Sequence, residues 1–112
     1  MLNVLFICSQ NMLRSPTAEK VFADYPGLTT RSAGTAEDAE KPVTAEMIEW
    51  AEMIFAMENL HYRLLHERFG ELLAGKPVIT LRIRDEFEYM DPELVNILKE
   101  KVPPHLPGAG AK

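Results

Sequence analysis

The chain has one cysteine, Cys8, and an arginine, Arg14, stands six places later in the run Cys8-Ser9-Gln10-Asn11-Met12-Leu13-Arg14-Ser15. Sulfur is a nucleophile as thiolate, and a guanidinium presents a planar fork that matches two phosphate oxygens at once. Spacing alone says little, because a lone cysteine is commonly a small buried hydrophobe. Context says more. The run lies between an apolar, strand-like segment and a helix start, and such a loop turns its backbone N–H groups inward as an anion cradle. The cradle, the helix N-terminus and Arg14 all favour thiolate over thiol. Cys8 is therefore the candidate nucleophile for in-line attack on phosphorus, forming a cysteinyl-phosphate. Ser9, Gln10, Asn11, Met12, Leu13, Arg14 and Ser15 are the candidate phosphate-binding residues. Ser15 is expected to be the helix N-cap and also a hydroxyl donor to the sulfur.

Such a reaction needs a carboxylic acid to protonate the leaving oxygen and then to activate water. Asp85 and Asp91 are the candidates. Asp91 precedes Pro92 at the start of the last helical pattern, so an N-cap already explains it. Asp85 follows the fourth apolar segment almost directly, in VITLRIRDEF, and is the choice for the acid. Phe87 and Tyr89 lie just beyond, either as an aromatic wall for an aryl phosphate or as packing on the core. His61 and His66 are five apart and diverge on a helix, so no metal site is expected.

Elements must bring these residues together. Leu2 to Ile7 reads as a central strand buried on both faces. A helix follows, with Ala18, Val21, Phe22 and Tyr25 on one face, and Pro26-Gly27 stops it. Leu28 to Ala33 is a second strand ending at Gly34, and Val43 to about Trp50 a helix with Val43, Met47, Trp50 and Ala51 on one side. Met53 to Met57 is a third strand. Asn59 to Phe69 is a helix with Leu60, Leu64, Leu65 and Phe69 inward, and Pro77 to Leu81 is a fourth strand. The last helix buries Leu94, Ile97, Leu98 and Val102. Alternating strands and helices imply right-handed crossovers and a parallel sheet. Ligands then bind beyond the strands' carboxyl ends: Cys8, Gly34-Thr35, Met57-Glu58 and Leu81 to Asp85.

With 112 residues, 46% apolar and 26% charged, the chain reads as one soluble domain over residues 1–102, with a flexible tail at 103–112. The net charge of −5 argues against nucleic-acid or acidic-membrane partners. No apolar run is long enough to span a bilayer, and the first residues lack the basic region of a secretory signal. A single cysteine permits no internal disulfide, so the cytoplasm is the expected compartment. Oligomeric state and physiological substrate are not legible.

VLFICSQNMLRSPTAE resembles the phosphate-binding loop of the low-molecular-weight protein tyrosine phosphatase family, and SAGT at 32–35 is similar to a second family signature. MIFAM, Glu58, His61 and the Asp85 segment continue the resemblance in order, over roughly residues 2–102. It implies a three-layer α/β/α fold with a four-stranded parallel sheet and an N-terminal phosphate-binding loop. It also implies no cofactor and a two-step phosphatase reaction on a phosphorylated protein or small phosphate monoester. Carried over, Cys8 is the nucleophile, Arg14 the phosphate clamp, Asn11 and Ser15 the residues shaping loop and thiolate, and Asp85 falls where the family's acid does. The chain departs from the pattern in three ways. Gln10 stands where the family has glycine, Leu13 where it often has a second cysteine, and AEDAEKPV is shorter than the usual pocket wall. A non-catalytic phosphate- or phosphopeptide-binding module is the alternative. Arsenate reduction on the same fold would need further cysteines.

Overall fold

Strand β1, Leu2–Cys8, sits in the middle of the sheet because its core carries apolar side chains for both faces. Leu5 and Ile7 point to one side, Val4, Phe6 and Cys8 to the other, as the period of two demands. The computed structural model describes residues 1–107. The remaining elements are α1 (Arg14–Phe22), β2 (Leu28–Gly34), α2 (Ala45–Trp50), β3 (Met53–Ala56), α3 (Asn59–Phe69), β4 (Val78–Thr80) and α4 (Pro92–Lys101). The strands pair in the order β2-β1-β3-β4, all parallel. The expected four-stranded α/β architecture is what forms.

Each face of the sheet has its own core. On one, Phe6 stacks between Phe22 of α1 and Phe55 of β3, at ring-centroid distances of 5.9 and 5.5 Å, beneath Leu94 and Leu98 of α4. On the other, Leu5, Ile7 and Ile54 meet Ile48 of α2 and Leu65 of α3. Two helices on either side make the three layers. Cys8 belongs by alternation to the α1/α4 face, at the strand's very end.

Several boundaries differ from expectation. Helix α2 starts at Ala45 rather than Val43, because the Val43 N–H donates to the Gly34 carbonyl (2.9 Å) and Thr44 Oγ1 caps the helix by accepting from Met47 N (3.2 Å). Leu60 is 46% exposed, and His61 is buried beside Leu65 instead. At the start of the expected tail, Pro103–His105 form a 3₁₀ turn, the His105 ring packs edge-on to Phe55, and Leu106 is 5% exposed. The rest of the expected flexible tail lies outside the described residues. Asp91 caps α4 as expected, its Oδ1 accepting from Glu93 N at 2.9 Å. No described helix is long and apolar enough to cross a membrane.

Candidate active site

The loop from Cys8 to Leu13 is shaped by where its carbonyls go. Those of Cys8, Ser9 and Gln10 accept from the N–H groups of Thr35 (2.9 Å), Ala36 (3.0 Å) and Glu40 (2.9 Å). Across a planar trans peptide the following N–H points the opposite way. The amides of Ser9, Gln10 and Asn11 are therefore turned from the 35–40 segment, and the Asn11 N–H duly points to Cys8 Sγ at 3.3 Å. Gly34 makes this close packing feasible: a Cβ there would lie 2.3 Å from the Ser9 carbonyl oxygen and 2.7 Å from the Ala39 Cβ. The short AEDAEKPV segment thus braces the loop from behind instead of walling the pocket.

Asn11 closes the turn in the left-handed region, φ 58°, a conformation asparagine tolerates better than most residues. Gln10 is not among the described residues with positive φ, so glycine is not required there. From its buried position Asn11 Nδ2 donates to Ser15 Oγ and to Ser32 Oγ, both at 2.9 Å. Ser32 in turn donates to Glu19 Oε1 at 2.5 Å, since a carboxylate only accepts. Ser15 Oγ stands 2.9 Å from Cys8 Sγ. Having accepted from Asn11, it can direct its own proton to the sulfur or to the Ala33 carbonyl at 3.5 Å, of which the sulfur is the nearer.

Ser15 is not the N-cap. Helix α1 begins one residue earlier, at Arg14, with Leu13 in the cap position and no side-chain cap bond. The first-turn N–H groups are thereby left to an incoming anion rather than quenched by a hydroxyl. Arg14 is 2% exposed, and its Nη1 donates to Glu58 Oε2 (2.5 Å) and to the Ile83 carbonyl (2.7 Å). The guanidinium is thus pinned between the segments that follow β3 and β4. Its Nη2 makes no hydrogen bond among the described residues and stays available to an oxyanion.

Asp85, with its side chain 63% exposed, brings Oδ1 to 3.8 Å from Arg14 Nε. Cys8, Ser9, Gln10, Met12, Leu13, Arg14 and Asp85 together line a cavity of about 110 Å³. Asn11 and Ser15 lie behind that wall. Asp91, in contrast, does not line this cavity. Neither do Phe87, which packs against the core, and Tyr89, which borders a separate hollow beside Pro16 and Lys20. Among the described residues no cluster of three potential metal ligands occurs.

Two residues that the resemblance includes without a role, Glu58 and His61, also stand at the site. They flank the first turn of α3, just past the carboxyl end of β3. The Glu58 N–H donates to His61 Nδ1 at 3.0 Å, and His61 Nε2 lies 2.8 Å from Ser9 Oγ. Burial, then the nearby Arg14 charge, lowers the His61 pKa from 6.5 to about 4. The signal for both residues was the resemblance that runs through them, and for Glu58 also its place at one of the four strand ends where ligands bind.

Residues 3–67 match the family model described as low molecular weight phosphotyrosine protein phosphatase. The chain belongs to this family. A protein-arginine-phosphatase of Bacillus subtilis (strain 168) is 27% identical over an alignment of 96 residues that covers 62% of this chain and 64% of that protein's length. Among solved structures, a low molecular weight protein tyrosine phosphatase from Streptococcus pyogenes superposes with a TM-score of 0.77 at 17% identity, covering 95% of this chain and 94% of that one. An arginine phosphatase from Geobacillus stearothermophilus gives 0.72 at 23% identity, with 88% and 89% covered. At these identities the structural likeness speaks for the fold.

Proposed function

We propose that this protein hydrolyses phosphate monoesters, phosphotyrosine in proteins or small aryl phosphates, through Cys8. The observation that carries the reading is the setting of the sulfur. It receives the Asn11 N–H and faces the Ser15 hydroxyl in a cavity shared with a buried, pinned Arg14 and a rim carboxylate, Asp85. Ser15 and the Asn11 N–H direct donors at the sulfur, and the Arg14 fork binds the equatorial phosphoryl oxygens. The thiolate attacks phosphorus in line, and the P–O ester bond breaks as Asp85 gives its proton to the leaving oxygen. In the second step Asp85, now carboxylate, takes a proton from water as that water attacks phosphorus. The S–P bond breaks, and inorganic phosphate and thiolate are released.

The cavity suits a phosphoryl group and the first atoms of its ester, with Met12 and Leu13 as apolar neighbours for a ring. A free thiol at the centre of the reaction suits a reducing compartment, hence the cytoplasm. Hydrolysis of 4-nitrophenyl phosphate is the direct test. Cys8→Ser is expected to abolish turnover, and Asp85→Asn to lower kcat by about 10²-fold or more. Asp91→Asn should change it little, because asparagine also caps helices. A parent that binds phosphate but turns nothing over would instead mark a binding module. A loss seen with Asp91→Asn alone would move the acid. A phosphoarginine peptide run beside the aryl ester tests the activity named for the Bacillus subtilis relative, and we expect the ester to be the faster substrate.

A further inference from the structure

Ser9 supplies the one hydroxyl among the residues lining the cavity, and the direction of its proton is decided outside the loop. The Glu58 N–H donates to His61 Nδ1, so that nitrogen carries the lone pair. The ring is neutral near pH 7, with its proton on Nε2. The 2.8 Å contact to Ser9 Oγ is therefore a donation from His61 to Ser9. A hydroxyl that accepts through its oxygen keeps its own proton for another acceptor. Among the described residues the Ser9 hydroxyl has no second partner, and Ser9 is one of the residues that line the cavity.

We propose that His61 is a positioning residue that leaves the Ser9 hydroxyl as an additional donor to the bound phosphate. The assignment rests on the phosphatase reading above and names a recognition element within it. His61 works through α3: the same ring that caps the helix at Glu58 reaches the phosphate loop, tying the end of β3 to the end of β1.

The two ring nitrogens have separable mimics. In His61→Asn the amide oxygen takes the Nδ1 place and keeps the bond from Glu58 N–H, but nothing reaches Ser9. In His61→Gln the longer side chain restores a donor at the Nε2 place. Calorimetric titration of the full chain with inorganic phosphate at pH 7 compares the parent, Ser9→Ala, His61→Asn, His61→Gln and the Ser9→Ala/His61→Asn double variant. Ser9→Ala and His61→Asn should each weaken phosphate binding about tenfold, the worth of a hydrogen bond to a charged group. The double variant should be no weaker than either single one, and His61→Gln should stay within about twofold of the parent. Parent-like affinity in Ser9→Ala, or equal losses in the Asn and Gln variants, would overturn the assignment. A long-range ¹H–¹⁵N spectrum of the parent reads the tautomer whichever variants fold, and a proton on Nδ1 overturns it too. A parent that does not bind phosphate at all sinks the phosphatase reading, and this assignment with it. A parent that binds while Ser9→Ala matches it sinks only the assignment.

Discussion

A buried neutral histidine makes the site sensitive to acid. His61 has a folded pKa of about 4 against 6.5 when free, depressed mainly by burial. Between those values the unfolded chain takes up a proton that the native state refuses, so stability rises with pH across the window. The contribution is complete above pH 6.5 and is lost as pH falls towards 4, on the order of 3 kcal/mol in all. Urea unfolding at pH 7 and at pH 4.5 should show a larger acid loss in the parent than in His61→Gln. Equal losses in both would assign the acid sensitivity to carboxylates alone. At the same scale, Cys8 gains its chemistry from bonds that sequence spacing does not display. Asn11 reaches Ser15 and Ser32 from a left-handed backbone, and Ser32 lies 21 positions away.

At the scale of elements, the end of β2 matters as much as the end of β1. Gly34→Ala would drive a methyl into the Ser9 carbonyl and Ala39, and backbone cannot yield as a flexible side chain does. We expect a stability loss of about 1–3 kcal/mol, the range for overpacking. Turnover should fall as well, because the displaced residue is in the phosphate loop. A Gly34→Ala protein with the parent's melting temperature and kcat would show that the loop is not held from this side. Helix α4 offers a milder comparison: Asp91→Ala should cost about 1 kcal/mol by loss of its cap, and Asp91→Asn far less, as thermal unfolding would report. Much of this was legible in the sequence. Apolar runs gave the four strands, Asp91-Pro92 gave the start of α4, and the strand ends pointed to the rim where Cys8, Arg14 and Asp85 come together. Ser15 misled because a serine before proline has the look of a cap, whereas its hydroxyl is drawn to the sulfur. His61 lies within the resemblance, but its burial was not legible: helical periodicity favours Leu60 as inward, whereas the contact with Ser9 draws the histidine in.

At the scale of the molecule, the two cores either side of the sheet hold four strand ends level, so that Cys8, Arg14, Glu58 and Asp85 meet at one rim. Leu98→Ala, in the core that Phe6 and Phe55 share with α4, should cost about 2–5 kcal/mol without touching the site. Denaturant unfolding would measure the cost, and KM for the folded fraction should stay unchanged. Ligand should act in the opposite direction: inorganic phosphate at a hundred times its Kd should stabilise the parent by about 2.7 kcal/mol. The brace behind the phosphate loop has a bearing on how far this chain can be varied. Its three bonds run from backbone to backbone, so they are indifferent to the side chains that carry them. Glu37 and Asp38, exposed in the middle of that segment, are open to wide replacement, while Gly34 and the buried Ala39 are not. A library randomised at 37 and 38 should keep most of its members active, and one randomised at 34 and 39 should lose nearly all. The cradle is thus a place where sequence can drift while shape is conserved.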